Sequence, residues 1–106
     1  MTEKLIAQVK RKLNITWSDE DTDARVQEII QSAIPTMKHK LGIADDTDFD
    51  FSVPGVENTL FLSYCLYDWN HCVNEFDDNY CNDVAQTRAR YDVAHYLATE
   101  AYADET

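Results

Sequence analysis

The segment from Pro54 to Tyr80, PGVENTLFLSYCLYDWNHCVNEFDDNY, constrains the fold more than any other. Its apolar residues recur at helical spacing, so it reads as one long helix. At about 100° per residue, Phe61, Leu62, Cys65, Leu66, Trp69, Cys72, Val73 and Phe76 share one broad arc. Leu60, Tyr64 and Tyr67 fall on nearly the opposite side. Two polar strips separate the arcs, Thr59, Ser63, Asn70 and Asn74 on one and Glu57, Asp68, His71 and Glu75 on the other. A surface helix needs one apolar stripe, and this one has two. It is therefore expected at the centre of a small bundle, with the narrow second face either buried there or turned to a neighbouring subunit.

A chain of 106 residues is one domain. With 44% hydrophobic and 11% aromatic residues it can bury a modest core. Two glycines and two prolines argue against a loop-rich β fold. The formal net charge of −11 disfavours direct nucleic-acid binding, because phosphate contacts need Lys and Arg. It also disfavours anionic membranes. It favours basic partners, or a surface that DNA passes without sticking. The first residues, MTEKLIAQVKRKL, read as an amphipathic helix and not as a signal peptide. No run approaches the ~20 apolar residues of a membrane span. Synthesis in a cytosol is expected. Three cysteines exclude a closed disulfide set, so Cys65, Cys72 and Cys81 are expected as thiols serving as small hydrophobes.

Three more helices are expected. The first covers Thr2 to Leu13, with Leu5, Ile6, Val9 and Leu13 inward, and it is the one basic segment. Trp17 is expected to pack back onto the core. Ser18 is expected to cap a second helix that reaches about Leu41, with acids at its start and Lys38, His39 and Lys40 at its end. Gly42 suits the position beyond that end. Pro35 lies inside the pattern and predicts a kink or break near Gln31 to Ile34. An acidic loop from Gly42 to Val53 follows, pinned by Phe49 and Phe51. Asp77, Asp78 and Asn79 are expected to interrupt or end the central helix. A fourth, weakly striped helix then runs from about Asn82 to Ala101, ahead of a frayed tail from about residue 103.

Candidate chemistry is thin. Asp46, Asp48, Asp50 and Glu57 sit at positions 1, 3, 5 and 12 of an EF-hand loop, but Phe51 occupies the position that needs Gly. Cys65, His71, Cys72, Cys81 and His95 lack the spacing of a zinc site. Cys72 beside His71 points about 100° away from it on a helix. No catalytic residues, metal or cofactor are expected, and the chain is not read as an enzyme. Arg88 and Arg90 are the only cations after Lys40. Arg88 lies on the apolar stripe, where it would pair with a carboxylate or lie along the bundle edge.

Several segments carry a resemblance in their order and spacing. These are Leu13–Trp17 running into the acidic helix start, Asp48–Phe51 (DFDF), Pro54–Tyr67 (PGVENTLFLSYCLY), Asn70–Tyr80 with its Glu75-Phe76 and Asn79-Tyr80 pairs, and Arg88–Tyr91 (RARY). Together they resemble the head–tail connector (head-completion, adaptor) proteins of tailed bacteriophages and prophages. Pro35 is a departure from that family's second helix. The resemblance implies an all-α fold without enzymatic activity. It implies assembly into a ring, usually dodecameric, beneath the portal of a DNA-filled head. Its partners would be further copies of itself, the portal protein and the next head-completion or tail protein, with DNA only as passing cargo. The location implied is the host cytoplasm on synthesis and the virion head–tail junction on assembly.

The expectation is an all-α bundle of about four helices acting as a ring adaptor. Leu60, Tyr64, Tyr67 and Arg88 are expected at subunit contacts. Asp45, Asp46, Asp48 and Asp50 are expected to face the channel or the next ring. The segment from about Val93 to Thr106, with Tyr96, Tyr102 and Asp104, is expected to dock on the portal. The competing reading is an acidic decoy that mimics DNA and binds a host nucleic-acid-binding protein.

Overall fold

The structure, a computed structural model, describes residues 3–104, with the side chains other than those at 95 and 98–104. Four helices form an all-α bundle: α1 (Glu3–Lys12), α2 (Glu20–Leu41), α3 (Val56–Trp69) and α4 (Val73–Asp104). No strand occurs among the described residues.

Three of the helices end in the same way. Asn14, Gly42 and His71 adopt left-handed backbone angles with φ of 59°, 74° and 59°. The next amide reaches back to the last turn in each: Ile15 N to Lys10 O, Ile43 N to Lys38 O and Cys72 N to Tyr67 O, each at 2.9 Å. This pattern satisfies carbonyls that the helix leaves open and turns the chain sharply. Ile15 and Ile43 are thereby buried.

The third of these ends corrects the sequence reading. The expected long central helix is two helices, broken at Asn70, His71 and Cys72. Asp77, Asp78 and Asn79 interrupt nothing and lie on the exposed face of α4. Placing His71 in the left-handed region costs ~1–2 kcal/mol. A straight helix would lack α4 as the cover of its second apolar face, and each large side chain left in water forgoes ~1.5–3 kcal/mol. Folding α4 back onto α3 covers the second face, so the break is favoured. Arg25 of α2 clamps it. Its Nη2 donates to the Trp69 carbonyl at 2.7 Å and lies 3.1 Å from His71 Nε2. Its guanidinium stacks 4.2 Å from the centroid of the Trp69 ring.

Other details also differ from expectation. Asp19, not Ser18, caps α2, its carboxylate accepting from Thr22 N at 3.2 Å. Trp17 is 52% exposed, and its indole donates to Thr22 Oγ1. Ile15 takes the core position instead. Of the kink or break expected near Gln31 to Ile34, the break is absent, for α2 is continuous through Pro35. Ile30, Ala33 and Met37 are wholly buried on either side of that proline. Their burial outweighs the ~3 kcal/mol that an interior proline costs.

The pair α2 and α3 lies between α1 and α4; among the described residues α1 does not pack on α4. Val26, Ile30, Met37 and Leu41 from α2 meet Leu60, Phe61, Tyr64 and Cys65 from α3. Phe76 of α4 closes the same core. The loop between α2 and α3 is pinned as expected. Phe51 stacks on Phe61 at 4.7 Å and Phe49 packs edge-on to Phe51 at 4.8 Å. Asn58 Nδ2 donates to Phe51 O and Gln8 Nε2 to Ser52 O.

Helix α4 spans 32 residues, about 48 Å at 1.5 Å per residue. Val73, Phe76, Tyr80, Val84, Thr87 and Tyr91 face the bundle at spacings of three and four. Every described side chain after Tyr91 is exposed. The helix therefore leaves the bundle near Tyr91, and residues 92–104 extend about 20 Å further. Helix α4 includes Asp104, and the rest of the tail expected from about residue 103 lies outside the described residues.

Candidate functional site

The residues expected at subunit contacts are used inside the chain. Leu60 and Tyr64 are buried in the core, 2% and 6% exposed. Tyr64 and Tyr67 meet Phe76 edge-on at 5.3 and 5.9 Å, and Tyr67 also meets Tyr80 at 5.8 Å. Asn79 Nδ2 donates to the Tyr67 hydroxyl at 3.0 Å. The narrow second face is thus the α3–α4 seam, a consequence of the break at His71. Arg88 is likewise an intramolecular group. Its Nη1 donates to His39 O at 3.0 Å, adding a cation at the negative end of α2. Its stem covers Gly42, where an added Cβ would lie 3.3 Å from Arg88 Cγ.

Asp45, Asp46, Asp48 and Asp50 are all exposed. Their loop is fixed in place, because Lys38 Nζ donates to the carbonyls of Asp45 and Thr47. Asp50 Oδ1 accepts from Ser52 Oγ at 2.6 Å and Ser52 N at 2.9 Å. These two bonds hold its carboxyl below the usual carboxylate range. The EF-hand spacing does not become a site. Glu57 is turned away to Arg90 Nη2 at 3.0 Å and the Tyr91 hydroxyl at 3.3 Å. Among the described residues no three His, Cys, Asp or Glu side chains gather as a metal would require.

The thiols divide by environment. Cys65 is buried, and burial followed by the Asp68 charge pushes it up to about 12. Cys72 is half-buried and is raised by burial and by Glu75. Cys81 is exposed, so it does not serve as the buried hydrophobe expected of it. The thiolate is the reactive form. A thiol reagent at neutral pH is expected to label Cys81 first, Cys72 more slowly and Cys65 only on unfolding. Labelling of Cys65 in the folded chain at the rate of Cys81 would contradict its placement.

The far end of α4 stands out chemically. Val93, Tyr96 and Leu97 are 56%, 64% and 57% exposed. They sit with Ala89 at spacings of four, three and one, on the side of the helix turned away from the bundle. All three lie in the segment anticipated to dock, though only Tyr96 was singled out there. The spacing from Ala89 to Leu97 is the signal that would have found them. The side chains of Tyr102 and Asp104, anticipated with Tyr96, lie outside the described residues. At the base of this segment, the Glu57, Arg90 and Tyr91 cluster ties α4 to the start of α3. Burial, then Glu57, raises the Tyr91 hydroxyl above its ordinary value.

No family model, no curated protein and no solved structure matches the chain. Among the described residues no helix is long and apolar enough to cross a membrane. What the surface offers is an exposed apolar helix end, a fixed acidic loop and one cationic helix. These are groups that bind other macromolecules by packing and charge.

Proposed function

We propose that the chain is a structural assembly protein, a ring-forming adaptor between the portal of a phage head and the tail. The observation that carries this reading is the end of α4, which leaves its own bundle with Val93, Tyr96 and Leu97 in water. Exposed apolar groups in a contiguous patch mark an interaction surface. The resemblance of the connector segments to head-completion proteins names the kind of assembly. The net charge of −11 suits a channel wall that DNA slides past. In this reading the exposed Val93, Tyr96 and Leu97 serve contacts within the ring, the segment from Tyr102 onward is the docking element for the portal, and the exposed loop of Asp45, Asp46, Asp48 and Asp50 faces the channel or the next component.

Co-expression of the tagged chain with the portal protein from the same genome tests this. Portal protein is expected to co-purify at a fixed ratio. Recovery of a basic DNA-binding protein in its place, with portal left behind, would replace the adaptor by the acidic decoy.

A further inference from the structure

Nearly all the cations of this acidic chain are engaged within it. Lys10 pairs with Asp23 at 2.6 Å, Lys40 with Asp77 at 2.6 Å and Arg90 with Glu57 at 3.0 Å. Arg25, Lys38 and Arg88 donate to backbone carbonyls. Lys4 lies within electrostatic range of Asp50. Arg11 and Lys12 remain, both exposed, with no side-chain hydrogen bond or ion pair among the described residues. They sit together on α1 beside a groove against α3 that is also lined by Gln8, Asn58 and Leu62. Leu62 supplies an apolar floor and the two cations an electropositive rim.

The end of α4 has the complementary character. Residues 92–106 contain Asp92, Glu100, Asp104 and Glu105 and no Lys or Arg. Val93, Tyr96 and Leu97 supply exposed apolar surface on the same segment. An acidic helix end with exposed Val93, Tyr96 and Leu97 thus belongs to a chain whose unpaired cations flank an open groove; of its acids, Asp92 lies 4.0 Å from Arg88 Nε at the exposed base of the segment. The segment does not serve its own groove, because α1 and α4 lie on opposite sides of the α2–α3 pair.

We propose that the end of α4 of one copy docks in the α1–α3 groove of the next, with Tyr96 and Leu97 over Leu62 and the α4 carboxylates beside Arg11 and Lys12. The two patches differ, so the contact is heterologous and propagates from copy to copy. Such a contact closes into a ring when the rotation allows. The proposal deepens the adaptor reading and rests on it for the claim that copies adjoin. A single helix end offers less than the roughly 800 Å² per partner of a stable complex. The pair is therefore weak alone and is best trapped covalently.

The test places a photo-crosslinking benzoylphenylalanine at Tyr96 in the full chain. Light and heavy isotope-labelled copies are mixed, so that contacts between copies are distinguished from those within one. Irradiation is carried out at rising concentration, alone and with portal protein. Crosslinks between copies are expected on residues 5–13 and around Leu62. Arg11→Glu with Lys12→Glu is expected to lower their yield at least about tenfold, the effect of setting like charges against each other. Adding Glu100→Lys and Asp104→Lys to that variant is expected to restore it, which a folding defect would not. Crosslinks elsewhere, none between copies, or a yield indifferent to charge reversal would overturn the proposal. A portal-bound ring whose Tyr96 crosslinks lie elsewhere removes this contact and leaves the adaptor standing. Crosslinks on α1 without any binding to portal do the reverse.

Discussion

Phe76→Ala is expected to destabilise the chain by about 3–5 kcal/mol, as large-to-small changes of aromatic side chains in a packed core do. Phe76 has no exposed surface. It stacks on Tyr80 at 4.9 Å and meets Tyr64 and Tyr67 edge-on, so its removal leaves a cavity beneath three aromatic rings. A domain of this size has about 5–15 kcal/mol in total. The variant should unfold at a much lower urea midpoint with little change in slope. The result bears on topology as well as stability. Only the break at His71 brings α4 back over α3. Were the two helices one straight rod, Phe76 would lie about 18 Å along it from Tyr64 and could not meet that ring. A small effect would therefore refute the α3–α4 hairpin.

The second large effect is on association. A chain ending at Tyr91 is expected to keep the bundle and lose assembly. The inward stripe of α4 is complete at Tyr91, and each described side chain beyond it is exposed. The Glu57, Arg90 and Tyr91 cluster stays intact. Stability should fall by less than about 1 kcal/mol, since the ion pair lost among the described residues, Arg88 with Asp92 at 4.0 Å, is exposed. Binding to portal should fall by two orders of magnitude or more, since removal of a few apolar anchors can cost several kcal/mol of binding. Circular dichroism melts and co-elution read the two arms separately. Retained binding would place docking elsewhere, and a collapsed melt would show that the end of α4 supports its own core.

Most of the bundle was legible because its signals are local. Leu5 and Val9, and the run from Val26 to Leu41, recur at helical spacing, and they are buried where the pattern puts them. Gly42 announced the end of α2 because a left-handed residue is usually glycine. The end of α3 was hidden because His71 occupies the same conformation with a side chain that gives no such hint. The apolar pattern also ran on through it, as it must when two helices share one core. That concealed break misassigned Leu60, Tyr64 and Tyr67. From sequence, replacing Tyr64 and Tyr67 with Ser should spare the fold and stop assembly. With both rings against Phe76, the same pair of changes is now expected to unfold the chain.

The candidate surface was partly legible. The basic character of the first helix is plain in sequence, but the solitude of Arg11 and Lys12 is not. It depends on which cations find distant partners, as Lys10 finds Asp23, Lys40 finds Asp77 and Arg90 finds Glu57. The last of these pairs also dissolves the calcium-loop spacing, by taking the carboxylate that would have closed it.

The most direct measurement of the adaptor reading is size-exclusion chromatography with light scattering, on the chain alone and then with portal protein from the same genome. A closed ring is expected, or a monomer that joins the portal as a ring and fails to do so when the chain ends at Tyr91. A full-length chain that stays monomeric and elutes apart from the portal at all concentrations would contradict it.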